Sequence, residues 1–330
     1  MGRNTLITFN SVKKSFGKKE VLKNISFTIN KGEIFGIIGK SGIGKTTVLN
    51  AMIGYFSIDD GEISFNVSGE CKDCKEKHCV EKKTITLSDC IDLVRKEFGF
   101  STQFPSFYNK LSVYENLEFF GSIYGLKSSL IKKRIKEVLD LLELDGCVNI
   151  LASELSGGMQ KRLDIACALI HDPFVLLLDE PTADLDPILR REIWALLKKI
   201  NKTGKTIIIA SHFVNELENV CDRVAILHAG RIIKEDKPEH LIDAFIKQFE
   251  VIIETRERNY KDIIKTLSKS FLLKIKKTKQ EDNRLIIYTE KPQLTIEHAL
   301  KLINKFKQKI VEAAITRPTL VEVFENIIKK

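Results

Sequence analysis

The chain contains no apolar run approaching the roughly 18 to 20 residues that a membrane-spanning helix requires. Its first ten residues, MGRNTLITFN, lack the basic-then-apolar order of a secretory signal, and Gly2 is not followed by the Ser or Thr at position six that marks myristoylation. These absences lead us to expect a cytoplasmic protein. Disorder is also excluded, because 43% of the 330 residues are hydrophobic, the share of a globular protein. The seven cysteines of a cytosolic chain read as thiols or metal ligands rather than disulfides.

Charge is present but unevenly placed. Of the net +9, most falls between His240 and Lys330, where 19 Lys and Arg face 12 Asp and Glu. The lysines there are dispersed, which describes a solvated face better than a surface built for an anionic partner, so no specific nucleic acid is expected. The length suits one large α/β domain over residues 1–239 and a smaller one over residues 240–330.

The stretch GKSGIGKTT fits the G-x-x-x-x-G-K-[ST] pattern of a phosphate-cradling loop, with Gly39, Lys40, Ser41, Gly42, Ile43, Gly44, Lys45, Thr46 and Thr47 as its members. It follows an apolar run, Glu33 to Ile38, that reads as a buried parallel strand, and it precedes a helix-like run, Thr46 to Ile53. Lys45 can reach the β- and γ-phosphates, and the Thr46 hydroxyl can ligate Mg²⁺. Upstream, two strands, Leu6 to Val12 and Val21 to Ile29, flank a turn carrying Phe16, which with Val21 can wall a nucleotide base.

Further along, helices are expected over residues 87–98, 111–124 and 129–144, with Ser112 and Ser128 as N-caps. LSGGMQKR, Leu155 to Arg162, then opens a helix at which Ser156, Gly157 and Gly158 form a second anion-binding end. The strand FVLLL ends in Asp179-Glu180. A carboxylate there can hold Mg²⁺ and its neighbour can orient a hydrolytic water. Another buried strand, Thr206 to Ala210, ends in Ser211-His212.

One cluster stands apart. Cys71, Cys74, His78, Cys79 and Cys90 fall in a short lysine-rich stretch, CKDCKEKHC…SDC, whose single C-x-x-C is the spacing that gives one metal ion two thiolates from a turn. It is read as a structural Zn²⁺ site on an excursion over residues 68–96, with free thiols on a solvated hairpin as the alternative.

The ordered set GKSGIGKTT, Gln103, LSGGMQKR, FVLLLDE, ADLD and His212 resembles the ATP-binding-cassette ATPases over about residues 4 to 237. The resemblance implies an ABC-type P-loop NTPase fold: a mixed sheet, an antiparallel β subdomain and a helical subdomain over residues 104–171. It implies that Phe16 and Val21 hold adenine, that Gly39 to Thr47 hold the triphosphate, and that Thr46, Gln103 and Asp179 serve Mg²⁺. Glu180 would then be the general base, with Lys45, Gln103 and His212 completing the catalytic set. Ser156, Gly157, Gly158 and Gln160 would face a nucleotide held by a second cassette, implying a homodimer or a heterodimer with a similar ATPase. One departure is Asp184, which stands where the family mostly has Gly.

The C-terminal pattern FEVIIET, Asp262 to Ser270, FLLKIKK, RLIIYTE, Ile296 to Phe306 and IVEAAIT has the βαββαβ order of a small α+β ferredoxin-like domain. The ending ITRPTLVEVFENI is similar to that of ATPases of ABC-2-type exporters. It implies a subunit on the cytoplasmic face of the membrane, working with an integral-membrane permease that docks near Gln103 to Ser106. A soluble ABC motor without a permease, serving DNA repair, translation or cluster assembly, is the alternative.

Overall fold

The computed structural model describes residues 5–66, 84–87, 91–245, 249–268, 270–281, 283–316 and 319–328. Cys71, Cys74, His78, Cys79 and Cys90, the expected zinc ligands, lie outside these residues. The chain divides into two compact units, Met1–Pro238 and Glu239–Lys330.

The first unit opens with two long strands, β1 (Thr5–Phe16) and β2 (Lys19–Asn30), paired antiparallel, followed by β3 (Ile34–Ile38) and α1 (Lys45–Met52). Next come β4 (Asp60–Asn66), β5 (Thr84–Thr86), α2 (Ile91–Glu97) and β6 (Phe98–Ser101). A helical region follows, with α3 (Val113–Ile123), α4 (Ser128–Leu142) and α5 (Gly157–Leu169). The unit ends with β7 (Val175–Asp179), α6 (Pro187–Asn201), β8 (Thr206–Ser211), α7 (Val214–Glu218), β9 (Arg223–His228) and β10 (Arg231–Asp236).

Two sheets result. One is antiparallel, in the order β2-β1-β4-β5; the other is six-stranded, in the order β10-β9-β3-β8-β7-β6, parallel except for β10. Every residue of β3, β7 and β8 is buried, which is why IFGII, VLLLD and TIIIAS are nearly continuous apolar runs without polar alternation. Phe9, Phe27 and Phe35 stack in a column, with centroids 4.4 and 5.7 Å apart, and share a core that spans both sheets.

Three local expectations are corrected. The helix read over residues 87–98 covers Ile91–Glu97, and Phe98 instead opens a strand that pairs in parallel with Val175 to Leu178. The strand lies so close to α5 that a Cβ at Gly99 would sit 2.1 Å from the Ala168 carbonyl oxygen, so tertiary pairing overrides helical periodicity here. Ser112 caps α3 through a reciprocal capping box with Glu115, but Ser128 is not a cap: Lys127 holds that place and Ser128 is the first helical residue. In the second unit, FLLKIKK begins as a 3₁₀ turn, Phe271–Leu273. Leu273 is buried there and Lys274 adopts φ 45° before the strand starts.

That second unit runs α8 (Pro238–Phe245), β11 (Phe249–Thr255), α9 (Lys261–Leu267), β12 (Ile275–Glu281), β13 (Arg284–Thr289), α10 (Pro292–Lys305), β14 (Ile310–Thr316) and α11 (Leu320–Ile328). From β11 to β14 the order is βαββαβ, in an antiparallel sheet β12-β13-β11-β14. Its core gathers around Tyr260, whose hydroxyl donates to the Asn283 carbonyl at 2.6 Å and accepts from the Thr255 amide at 2.9 Å.

Candidate active site

The carboxyl ends of four parallel strands meet along one edge of the six-stranded sheet. Ile38 pairs with Ser211, Ala210 with Asp179, and Leu178 with Ser101. The chain leaving these strands therefore carries the Gly39 loop, the Asp179-Glu180 pair, His212 and Gln103 to a common rim, the place where open α/β sheets bind ligands.

The loop after β3 turns at Gly44, whose φ of 114° strains any L side chain, and α1 begins at the next residue. Val21 packs against this turn, since a Cβ on Gly44 would come within 2.9 Å of its Cγ1. Lys40, Ser41 and Gly42 are exposed, and Ile43 and Thr47 half-buried. Lys45 folds back over the loop, donating to the Gly39 and Lys40 carbonyls at 2.9 and 3.4 Å.

Lys45 also pairs with Glu180 Oε1 at 3.1 Å, both side chains being at most 7% exposed. The other Glu180 oxygen lies 2.9 Å from His212 Nδ1 and accepts from the Ser211 hydroxyl at 3.1 Å and the His212 amide at 3.3 Å. Burial alone pushes the Glu180 carboxyl up, but the His212 hydrogen bond and the Lys45 charge outweigh it and hold the group below its ordinary value. Glu180 sits at φ 48°, a left-handed conformation that is uncommon for a side-chain-bearing residue and turns the chain out of β7.

Asp179 behaves differently. Burial pushes its carboxyl above the ordinary value against the Thr46 hydrogen bond, and the Glu180 charge adds to the rise. Thr46 donates to Oδ2 at 2.6 Å, while the buried Oδ1 accepts no hydrogen bond among the described residues. A half-satisfied carboxylate beside a threonine hydroxyl at the phosphate loop fits a divalent cation that would take the remaining lone pairs.

The other expected residues are spread around this centre. Phe16 is 49% exposed at the end of β1, edge-on to Phe56 at 5.3 Å, with the Lys14 ammonium 5.4 Å from its ring. Phe56 was not singled out from the sequence, because nothing in it marks a residue that meets Phe16 only in the fold. Gln103 is exposed in the loop after β6. Ser156 caps α5, accepting from the Met159 amide at 3.4 Å; Ser156 and Gly157 are exposed and Gly158 is buried. Gln160 donates to the Ala152 carbonyl at 3.1 Å, fixing the start of that helix. Within the chain, Lys45, Thr46, Asp179, Glu180 and His212 form one linked cluster, and the cap at Ser156 is not joined to it by any described hydrogen bond. Ser211 belongs to the cluster as well.

Among solved structures, cbiO1 from Clostridium perfringens, described as part of the ABC transporter complex cbiONQ, is similar at TM-score 0.62 and 29% identity, over 73% of this chain and 92% of that one. MJ1267, described as an ATP-binding cassette of an ABC transporter, gives a TM-score of 0.61 and 27% identity over 72% and 92%. Fold and site together define a phosphate-loop nucleoside triphosphatase. Residues 22–183 match the ABC transporter family, and the chain belongs to it, as an ATPase cassette. Its curated relatives include three proteins named Nod factor export ATP-binding protein I. That of Sinorhizobium fredii strain NBRC 101917 / NGR234 is 38% identical over 72% of this chain and 64% of its own length. That of Rhizobium sp. strain N33 is 39% identical over 71% and 72%. The Cupriavidus pinatubonensis protein is 32% identical over 87% and 81%.

Proposed function

We propose that this protein is the ATP-hydrolysing subunit of a membrane exporter, acting as a pair of cassettes that close on ATP and open on its hydrolysis. The observation that carries the chemistry is the Glu180 carboxylate, held ionised between Lys45 and His212 at the rim of the sheet. In this reading Lys45 exchanges Glu180 for the β- and γ-phosphates. Glu180, still oriented by Ser211 and His212, then takes the proton of the attacking water. His212 and Gln103 border the γ-phosphate. Thr46 and Asp179 are the residues that would hold Mg²⁺, which when bound neutralises charge developing on the phosphates.

The second cassette follows from the exposed helix cap. A 13-residue helix presents the Ser156 hydroxyl and backbone N–H groups, an end that favours an anion, and no acidic residue lies in its first turn. A second copy, or a similar ATPase, brings its γ-phosphate there. Export through a separate permease is supported by the names of the relatives. It is also supported by Phe104 and Tyr108, 77% and 51% exposed beside Gln103 as apolar surface for a membrane partner. No helix among the described residues is long and apolar enough to cross a membrane. What the relatives export is not carried over.

The test is purification of Glu180→Gln protein from native membranes with Mg-ATP. A dimer with a co-purifying permease is expected; a monomer, or a dimer that carries nucleic acid in place of a permease, overturns the reading. The zinc site rests on the spacing of Cys71, Cys74, His78, Cys79 and Cys90 alone. One zinc per chain in purified protein supports it, and a trace leaves free thiols.

A further inference from the structure

The segment carrying Gln103 is strapped to α5 on both sides, and a single buried carboxylate makes both attachments. Asp164 lies within α5, two turns after the Ser156 cap, and is fully buried. On the near side of Gln103, the Ser101 hydroxyl donates to Asp164 Oδ2 at 2.5 Å. On the far side, the Ser106 amide and hydroxyl both donate to Asp164 Oδ1, at 2.9 and 2.8 Å. Lys161, one turn earlier on the same helix face, lies 3.5 Å from Asp164 Oδ2 and donates to the Ser101 hydroxyl and the Thr102 carbonyl, both at 3.3 Å.

These bonds close a short ring. Ser101 ends β6 in the central sheet, so the loop over residues 102–105 is pinned at both ends to the helix whose first turn is the Ser156 cap. The exposed Gln103 sits within a span of a few residues between these two attachments. Hydrogen bonds to a charged, buried acceptor are the stronger kind, and leaving such an acceptor unmet is costly, so the clamp resists opening. The simplest function for an expensive buried carboxylate at this spot is positional.

We propose that Asp164, assisted by Lys161, is a positioning residue that sets Gln103 relative to the Ser156 cap. A displacement of the cap by a nucleotide held in the opposite cassette is then delivered to Gln103 of the same chain. This rests on the reading of Gln103 and Ser156 given above. It goes beyond that reading by assigning the link to the fully buried Asp164 and to Lys161 beside it. Asp164 aligns the group that meets the reacting phosphate without meeting it.

The experiment compares Asp164→Ala, Ser106→Ala and Gln103→Ala, alone and combined, in the full chain. The serine variant removes one of the two far-side bonds while leaving Asp164 its bonds to Ser101, to Lys161 and to the Ser106 amide, so it keeps the test open if Asp164→Ala does not fold. Steady-state ATPase kinetics and nucleotide binding are measured on each. The expected result is a kcat lowered by about 10- to 100-fold in Asp164→Ala and less in Ser106→Ala, with ATP affinity within about twofold of wild type, because misplacement of an aligned group costs rate rather than ground-state binding. With Gln103→Ala already present, either substitution should change kcat by less than about twofold. Equal losses with and without Gln103, unchanged kcat, or a loss confined to affinity overturns the clamp. Full turnover by Gln103→Ala alone overturns the reading of the site, and the clamp with it.

Discussion

Glu180→Gln separates the resting and catalytic roles of one side chain. The amide has nearly the same shape, so the Ser211 hydroxyl and His212 amide keep an acceptor, but the charge facing Lys45 at 3.1 Å and His212 at 2.9 Å is gone. Loss of one partner of a buried ion pair costs on the order of 3–5 kcal/mol. Lys45 retains its bonds to the Gly39 and Lys40 carbonyls, which lowers the expected cost to roughly 1–3 kcal/mol for the nucleotide-free protein. In a unit of this size that is a fall in Tm of about 2 to 10 °C. Loss of a general base removes about 10²- to 10⁴-fold in turnover, or about 3 to 5 kcal/mol of barrier. Binding of ATP should recover the stability, because the phosphates replace the missing charge opposite Lys45. Differential scanning calorimetry with and without Mg-ATP, set beside single-turnover phosphate release, reads both quantities. Turnover within threefold of wild type would refute the base assignment. An unchanged Tm without nucleotide would refute the claim that Lys45 rests against Glu180.

Thr46→Val removes the one donor among the described residues to the buried Asp179 carboxylate, and should lower nucleotide-free stability by about 1–3 kcal/mol while raising the Mg²⁺ concentration needed for turnover; an unaltered Mg²⁺ requirement counts against the cation site. Asp184→Gly should raise stability by up to ~1 kcal/mol, because Asp184 is exposed at φ 61°, where a Cβ is unfavourable, and a lowered Tm would show that its carboxylate is needed. His171, stacked on Tyr124 at 3.6 Å, is held by burial down from 6.5 to about 4. A depressed value means that the unfolded chain takes up the proton first, so stability is full above pH 6.5 and falls toward pH 4, by on the order of 3 kcal/mol. His171→Phe should flatten that part of the denaturation profile, and identical slopes in the two proteins would dismiss the assignment.

The phosphate loop, the Ser156 cap, the Asp179-Glu180 pair and His212 were legible in the sequence because each is a local pattern whose neighbours along the chain set its geometry. The buried strands were legible for the same reason. Contacts that exist only after folding were not. Phe56 meets Phe16 at a separation of 40 positions, and Asp164 meets Ser101 at a separation of 63, with no signature at either end. Helical spacing continues up to Phe98, and only its pairing with Val175 makes it a strand. Ser128 fits the composition of a cap, yet Lys127 is the residue with the extended backbone that position needs, φ −67° and ψ 144°.

The phenylalanine column through Phe9, Phe27 and Phe35 ties the strand that ends at Phe16 to the strand that feeds the phosphate loop. Under the proposed assignment of Phe16 and the Gly39 loop, the two ends of a bound nucleotide would thus be gripped by a single frame of fixed span. Di- and triphosphate would seat their base and first two phosphoryl groups alike, and the terminal phosphoryl alone would be left to tell the protein which of them it holds.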